Sequence, residues 1–338
     1  MRLGYCCINL TLRAKKPSVY TGRSLIRRTF SMEKASALAT ENVRDLLEIL
    51  RWNLGRDIRV FRITSDLFPR LTDPENGYRI RDLAEGRAII KYLRGIGKFA
   101  ADNRMQLSFH PGPFALFGSP NDKASAAGLR EVEAHARIAE HICEGGKLDI
   151  PINIHIGGSY GGDFKGTAKR WLKNFRKLSK GARSRLALEN DDRPGGWSIR
   201  RLHRYIHNLT GVPLTIDLHH FLFCNDGYPM EEDYFLAKST WGKRSNQVHY
   251  SESASPDSGR HSLPEPENHA GRARASGPAA SFKSQYAQLM PAHSDYLRRP
   301  LPPFVLKDAA AHVLLEAKAK ELALLAYRRR FRIRESGR

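Results

Sequence analysis

Cysteine is scarce, and the four present (Cys6, Cys7, Cys143 and Cys224) show no CxxC spacing. Neither a disulfide framework nor a zinc ribbon is expected, and a reducing cytosol is the expected setting. No apolar run approaches the roughly 18 residues needed to cross a bilayer, so no membrane span is expected. The opening MRLGYCCINL has too short an apolar stretch, followed by too many cations, to read as a signal peptide. No GxGxxG follows the first apolar run, which counts against a dinucleotide fold and a nucleotide cofactor. Acids are also in short supply: 35 Asp+Glu face 56 Lys+Arg, a net charge of +21. That balance calls for a polyanionic partner, either nucleic acid or an anionic membrane surface.

What is present is enough apolar material for a core, 41% of 338 residues. Length alone favours two domains at about 150 residues each, but α/β barrels use about 250 residues as one unit. Short apolar runs fall at 2–8, 57–63, 105–110, 150–156, 184–190, 212–217, 245–250 and 311–316. Amphipathic stretches follow most of them, at about 33–54, 82–103, 124–145, 164–180, 197–208 and 317–330. Eight strands alternating with helices predict parallel βαβ units, and of the two closures available we expect a (β/α)8 TIM barrel in one domain, residues 1–330.

Two stretches do not fit that pattern. From Ser251 to Ser281, 20 of 31 residues are Ser, Pro, Ala or Gly, which predicts an exposed insertion after strand seven, with His261 and His269 as solvated loop residues. Tyr327–Arg338 carries six arginines against Glu335 alone, and residues 331–338 read as a basic tail.

Imidazoles and carboxylates collect at the C-terminal ends of the apolar runs: His110, His155, Glu189, Asp217, His249 and Glu316, with His219 and His220 just past Asp217. In a parallel barrel these ends converge on the face that carries active sites. Crowded carboxylates repel unless cations separate them, and mixed His and carboxylate donors suit Mn²⁺, Zn²⁺ or Fe²⁺ better than Ca²⁺. More than four ligands imply two or three ions, able to bridge a phosphodiester and activate water. His220 is the expected ligand of the adjacent pair, with His219 either behind it or uninvolved. His135, His141, His203, His207 and His312 fall within helices or at a strand start and read as structural.

The loop after strand one holds Arg13, Lys15, Lys16, Arg23, Arg27 and Arg28 with no acid before Glu33, on the same face as the ligands. Such cations would give salt-dependent, sequence-independent affinity for DNA phosphates. Phe164–Leu188 carries nine cations and no acid, but reads mostly as the solvated face of an outer helix.

LGYCCINLTL, FRITSDLFP, SFHPG, NIHIGGSYGGD, LALENDD, LTIDLHH, VHYS, HSDYL and LLEAKAKELALL, in this order, resemble the UV damage endonucleases over about residues 1–330. The resemblance implies a barrel that nicks duplex DNA 5′ of UV photoproducts and other distorting lesions with a manganese cluster, starting an alternative excision repair. It implies as ligands His110, His155, Glu189, Asp217, His220, His249, Glu316 and also His293, from HSDYL. Tyr5 and Asn9 match positions near the damaged nucleotides, where they would stack and make polar contacts.

Three departures stand out. Asp73 replaces a ligand His, although a carboxylate also binds Mn²⁺. Pro113 and Phe114 replace the Gln–Tyr pair that wedges into the duplex. Gln247 replaces a Lys that can be carboxylated to bridge metals, and Gln cannot form the carbamate. Glu189, His155 and the Gln247 position are the catalytic candidates, and the expected cofactor is Mn²⁺ as two or three ions, ahead of Zn²⁺ or Mg²⁺. The expected partner is damaged double-stranded DNA, bound by a monomer in the cytoplasm at the nucleoid. Two other readings stay open: a metal-dependent sugar isomerase on the same barrel, and a barrel that binds distorted DNA with impaired cleavage.

Overall fold

A computed structural model describes residues 1–112, 115–254, 291–333 and 335. Eight strands are present: β1 (Arg2–Cys7), β2 (Val60–Ile63), β3 (Gln106–Phe109), β4 (Ile152–Ile154), β5 (Leu186–Glu189), β6 (Leu214–Asp217), β7 (Gln247–Tyr250) and β8 (His312–Leu315). Each lies inside a predicted apolar run. All neighbours are parallel, and β1 pairs with both β2 and β8, so the sheet closes into a barrel in chain order. Buried on both faces, β5 and β6 are covered at every position, which is why they read as continuous apolar runs.

The helices form where predicted, for local reasons. Ser31 caps the helix Met32–Leu54 by accepting from the Lys34 amide, and Ala35, Ala39, Val43, Leu46 and Leu50 supply its buried stripe. Asp163 caps Phe164–Phe175, whose Ala168 and Trp171 face the barrel. The expected helix over 197–208 is interrupted: one π turn spans His203–His207. A further helix, Met230–Ser239, had no readable apolar stripe; its buried residues are Asp233, Tyr234 and Ala237. No helix among the described residues is long and apolar enough to cross a membrane.

The expected insertion begins later than Ser251. Ser251 and Ala254 are buried, and Ser253 bridges antiparallel to His293. The Ala254 amide donates to the Ala292 carbonyl (2.7 Å) and the Ser294 amide to the Glu252 carbonyl (2.8 Å), so 251–254 and 291–294 form a closed neck. The rest of the predicted insertion, with His261 and His269, lies outside the described residues, as do Pro113, Phe114 and, in the basic tail, Arg334 and residues 336–338. Glu335 of that tail is described, and its carboxylate accepts from the Leu3 amide (3.0 Å).

Candidate metal centre

Strand parity decides which side chains meet. In β1, Tyr5 faces outward and donates to Asn53 of the helix Met32–Leu54 (2.7 Å), whereas Cys6 packs inside the barrel with Val60 and Leu314. The same alternation aims the residues at the C-terminal strand ends inward. Glu189 is the hub. Its Oε2 lies 3.0 Å from His110 Nε2 and 2.9 Å from His249 Nδ1, and its Oε1 lies 3.3 Å from His220 Nδ1 and 3.8 Å from His155 Nε2. Two ligand groups, His110–His155–Glu189 and Glu189–Asp217–His249, each gather their atoms within 4.8 Å and share Glu189.

The remaining predicted ligands border these groups. His220 Nε2 is 3.8 Å from Asp217 Oδ2, and its Nδ1 meets the Asn190 carbonyl at 3.0 Å. Glu316 Oε1 is 3.3 Å from His249, and its other oxygen is 3.6 Å from His293 Nδ1. His293 arrives on the neck between β7 and β8, its ring 6.2 Å from that of His220. His219 sits edge-on to Phe223 (5.1 Å) and His293 (5.9 Å), behind the ligands, and its amide donates to Asp217 Oδ1 (2.7 Å).

The electrostatics are those of a cation site. Burial opposes protonation of His155, but Glu189 and Asp191 outweigh it and push its pKa up to about 9. His249 and His220 rise for the same reason, against burial, through Glu189 with Glu316 and Asp217 with Glu189 respectively. Burial lowers His110, leaving it a neutral donor. Glu189 is held well below the ordinary carboxylate range: desolvation opposes this, and His249 and His155 prevail. Even so, Asp217 Oδ2 and His249 Nε2 are buried without a hydrogen-bond partner among the described residues. Such orphans cost about 1–3 kcal/mol each, and a divalent ion would satisfy both. The donors therefore fit the implied metal, and mixed imidazole and carboxylate oxygen suits Mn²⁺ or Zn²⁺ better than Ca²⁺.

Several supports were not read from sequence. Asn190 accepts from the Asp217 amide (2.8 Å) and donates to its carbonyl (3.0 Å), fixing β5 against β6 beneath the ligands. Arg62 is buried in the barrel and paired with Glu316. Its signal was present, since Arg62 sits in the FRITS run with the inward parity of Val60. Gln247 accepts from Asn153 Nδ2 (2.6 Å), and Asn153 accepts from Thr215 Oγ1 (2.5 Å), a neutral layer one residue pair below His249, His155 and Asp217.

Placement sets five of the expected residues apart from an open site. Tyr5 and Asn9 are fully buried and bonded to each other (2.9 Å), with Asn9 also accepting from the Leu12 amide, so neither offers a face to a nucleotide. Asp73 belongs to neither ligand group. The amides of Glu75 and Asn76 and the guanidinium of Arg70 (2.8 Å) enclose its carboxylate and hold its pKa down at about 2. Arg23 is neutralised by Glu41 (2.9 Å) and Asp45 (2.7 Å), acids from a helix that a local count of charge does not see. Arg27 likewise meets Asp73 (3.5 Å) and Glu75 (3.2 Å). Arg13, Lys15, Lys16 and Arg28 are exposed, and none forms an ion pair among the described residues.

The family model described as UV-endonuclease UvdE matches residues 1–335. The chain is 31% identical over 258 residues to a UV DNA damage endonuclease of Clostridium perfringens, covering 75% of this chain and 58% of that protein. It is 32% identical over 268 residues to a UV-damage endonuclease of Schizosaccharomyces pombe, covering 75% of this chain and 43% of that one. The chain thus spans about half the length of the curated relatives it matches. In fold it resembles the crystal structure of SacUVDE, with a TM-score of 0.76 at 24% identity over 99% of this chain and 100% of that one. By the extent of the family match, the chain belongs to the UV-endonuclease UvdE family.

Proposed function

We propose that this chain is a metal-dependent endonuclease that nicks duplex DNA 5′ of UV photoproducts and other helix-distorting lesions, opening an alternative excision repair. The observation that carries the reading is Glu189, one buried carboxylate shared by two ligand groups. A shared carboxylate would let two cations be held side by side, and such a pair suits displacement at phosphorus. When bound, Mn²⁺ ions supply Lewis-acid chemistry toward the phosphodiester and the attacking water.

The chain's own residues do the rest. His110, His155, His249, Glu189 and Asp217 would hold two ions, and His220, His293 and Glu316 border them closely enough to add ligands. Asp191 lies 3.5 Å from His155 Nδ1 and orients that ring while its other nitrogen faces Glu189. Arg62 balances Glu316 from below, so the carboxylates converge without mutual repulsion. Gln247 acts as a spacer, its carbonyl already engaged by Asn153. Arg13, Lys15, Lys16 and Arg28 meet the flanking phosphates. The protein works as a monomer, without a nucleotide cofactor, in the cytoplasm at the nucleoid.

The engaged carbonyl of Gln247 and the enclosed carboxylate of Asp73 favour one second reading, a barrel that binds distorted DNA and cleaves weakly. Incubating UV-irradiated and intact end-labelled duplexes with and without Mn²⁺ separates the two. Nicking confined to irradiated DNA and abolished by EDTA supports the endonuclease; selective binding with no nick supports the second reading.

A further inference from the structure

We infer that Tyr160 is a base-stacking residue at the rim of the centre, taking the exposed face of a nucleobase that a lesion has loosened from the duplex. The inference rests on the endonuclease reading and names a part of its substrate site.

Tyr160 lies in Gly157–Gly158–Ser159–Tyr160–Gly161–Gly162, the loop that leaves β4 immediately after the candidate ligand His155. Its φ is +47°, a left-handed conformation that bulky L-residues rarely adopt. Gly157 (+98°), Gly161 (+80°) and Gly162 (+84°) share that hand, so the loop is built for glycine and yet carries a tyrosine at its tip. Held conformations of this kind persist where the surroundings enforce them, and they concentrate at ligand clamps.

The ring is placed rather than dangling. It rests on the loop's own backbone: a Cβ at Gly158 would lie 3.6 Å from Tyr160 Cζ, and one at Gly157 would lie 3.8 Å from the hydroxyl. The Arg170 guanidinium stands 5.4 Å from the ring centroid. Arg170 is itself fixed, donating to the Gly118 carbonyl (2.9 Å) and to Thr167 Oγ1 (2.9 Å). The rest of the ring is open, leaving the residue 39% exposed, and its hydroxyl makes no hydrogen bond among the described residues. Tyr5, the aromatic expected at the lesion, is sealed under the helices. Tyr160 presents the kind of π surface that Tyr5 withholds, five residues from a ligand. An open aromatic face is what an unstacked base needs, because stacking tolerates any base identity.

The test compares Tyr160→Phe and Tyr160→Gly with wild type, in Mn²⁺, on labelled duplexes whose phosphate 5′ of the lesion is an uncleavable methylphosphonate. Glycine accepts φ +47° without strain, so Tyr160→Gly folds at least as well, which thermal melting verifies. Fluorescence anisotropy should then show the ratio of lesion to intact affinity falling about tenfold in the glycine variant, the scale of one base–aromatic stack, with intact-duplex affinity unchanged. Tyr160→Phe should keep the wild-type ratio. Wild-type discrimination that survives in Tyr160→Gly overturns the role of Tyr160 and leaves the endonuclease reading standing. A wild-type protein that binds both duplexes alike overturns both together.

Discussion

The guanidinium of Arg62 is paired with the carboxylate of Glu316 inside the barrel, with side chains only 14% and 10% exposed. Glu316 in turn lies 3.3 Å from His249, so the pair connects the barrel interior to the ligand groups. Despite desolvation, Arg62 and His249 hold Glu316 far below its ordinary pKa. Removing one partner of a buried ion pair leaves an uncompensated charge, which costs about 3–5 kcal/mol. Arg62→Met should therefore lose about that much stability in EDTA, read from the urea midpoint at unchanged m-value. Mn²⁺ should restore part of the loss, since an ion then faces the same carboxylates. Equal midpoints for wild type and variant in EDTA would show that the pair carries no such weight.

Metal uptake should release protons. His155, with its pKa at about 9, is protonated at pH 7.5 in the metal-free protein and must be neutral to ligate. His110, lowered by burial, already is. Titrating Mn²⁺ calorimetrically in two buffers of different ionisation enthalpy should give at least one proton released per protein, and an apparent affinity that rises with pH up to about 9. Heats independent of buffer would contradict the assignment of His155.

At the opposite end of the barrel, burial and then Arg2 push His312 down to about pKa 4, against an ordinary value of 6.5. Below about pH 6.5 the unfolded chain binds a proton that the folded chain refuses, so stability falls as pH falls and levels off near pH 4. The contribution is on the order of 2 kcal/mol after allowance for partial exposure. Urea titrations of wild type and His312→Gln across pH 4–7 should show a shallower slope in the variant; parallel curves would remove His312 from the account.

Arg13, Lys15, Lys16 and Arg28 should set affinity for any duplex, intact or damaged. Replacing Lys15, Lys16 and Arg28 together with Gln should flatten the plot of log affinity against log salt by about 2.7, at roughly 0.9 per phosphate contact. Arg23→Gln should instead lower stability with little change in slope, because Glu41 and Asp45 already neutralise Arg23. A larger slope change from Arg23→Gln than from the triple variant would reverse these roles.

Legibility followed the range of the interactions. The eight strands, and the convergence of the imidazoles and carboxylates that end them, could be read because a parallel barrel needs only local apolar runs, and because a polar residue ending such a run must lie at one face. His293 could not be reached that way. Its position depends on a neck joining 251–254 to 291–294, a pairing across 36 intervening residues that no local pattern encodes. Arg23 and Asp73 were misplaced for a related reason: their partners come from another element or from backbone amides. Tyr5 is different, because parity was available. With Cys6 pointing into the barrel, Tyr5 had to face the helices, and the resemblance alone suggested otherwise.

The central claim is that Glu189 joins two ion sites that cut damaged DNA. It is tested most directly by nicking of a UV-irradiated, end-labelled duplex in Mn²⁺ by wild type and Glu189→Gln, with bound manganese counted in both. Outer partners of metal ligands are worth about 10–100-fold, so losing the shared ligand should cost at least ~100-fold in nicking and empty both sites. A Glu189→Gln protein that keeps its manganese and cuts irradiated DNA at the wild-type rate would contradict the account.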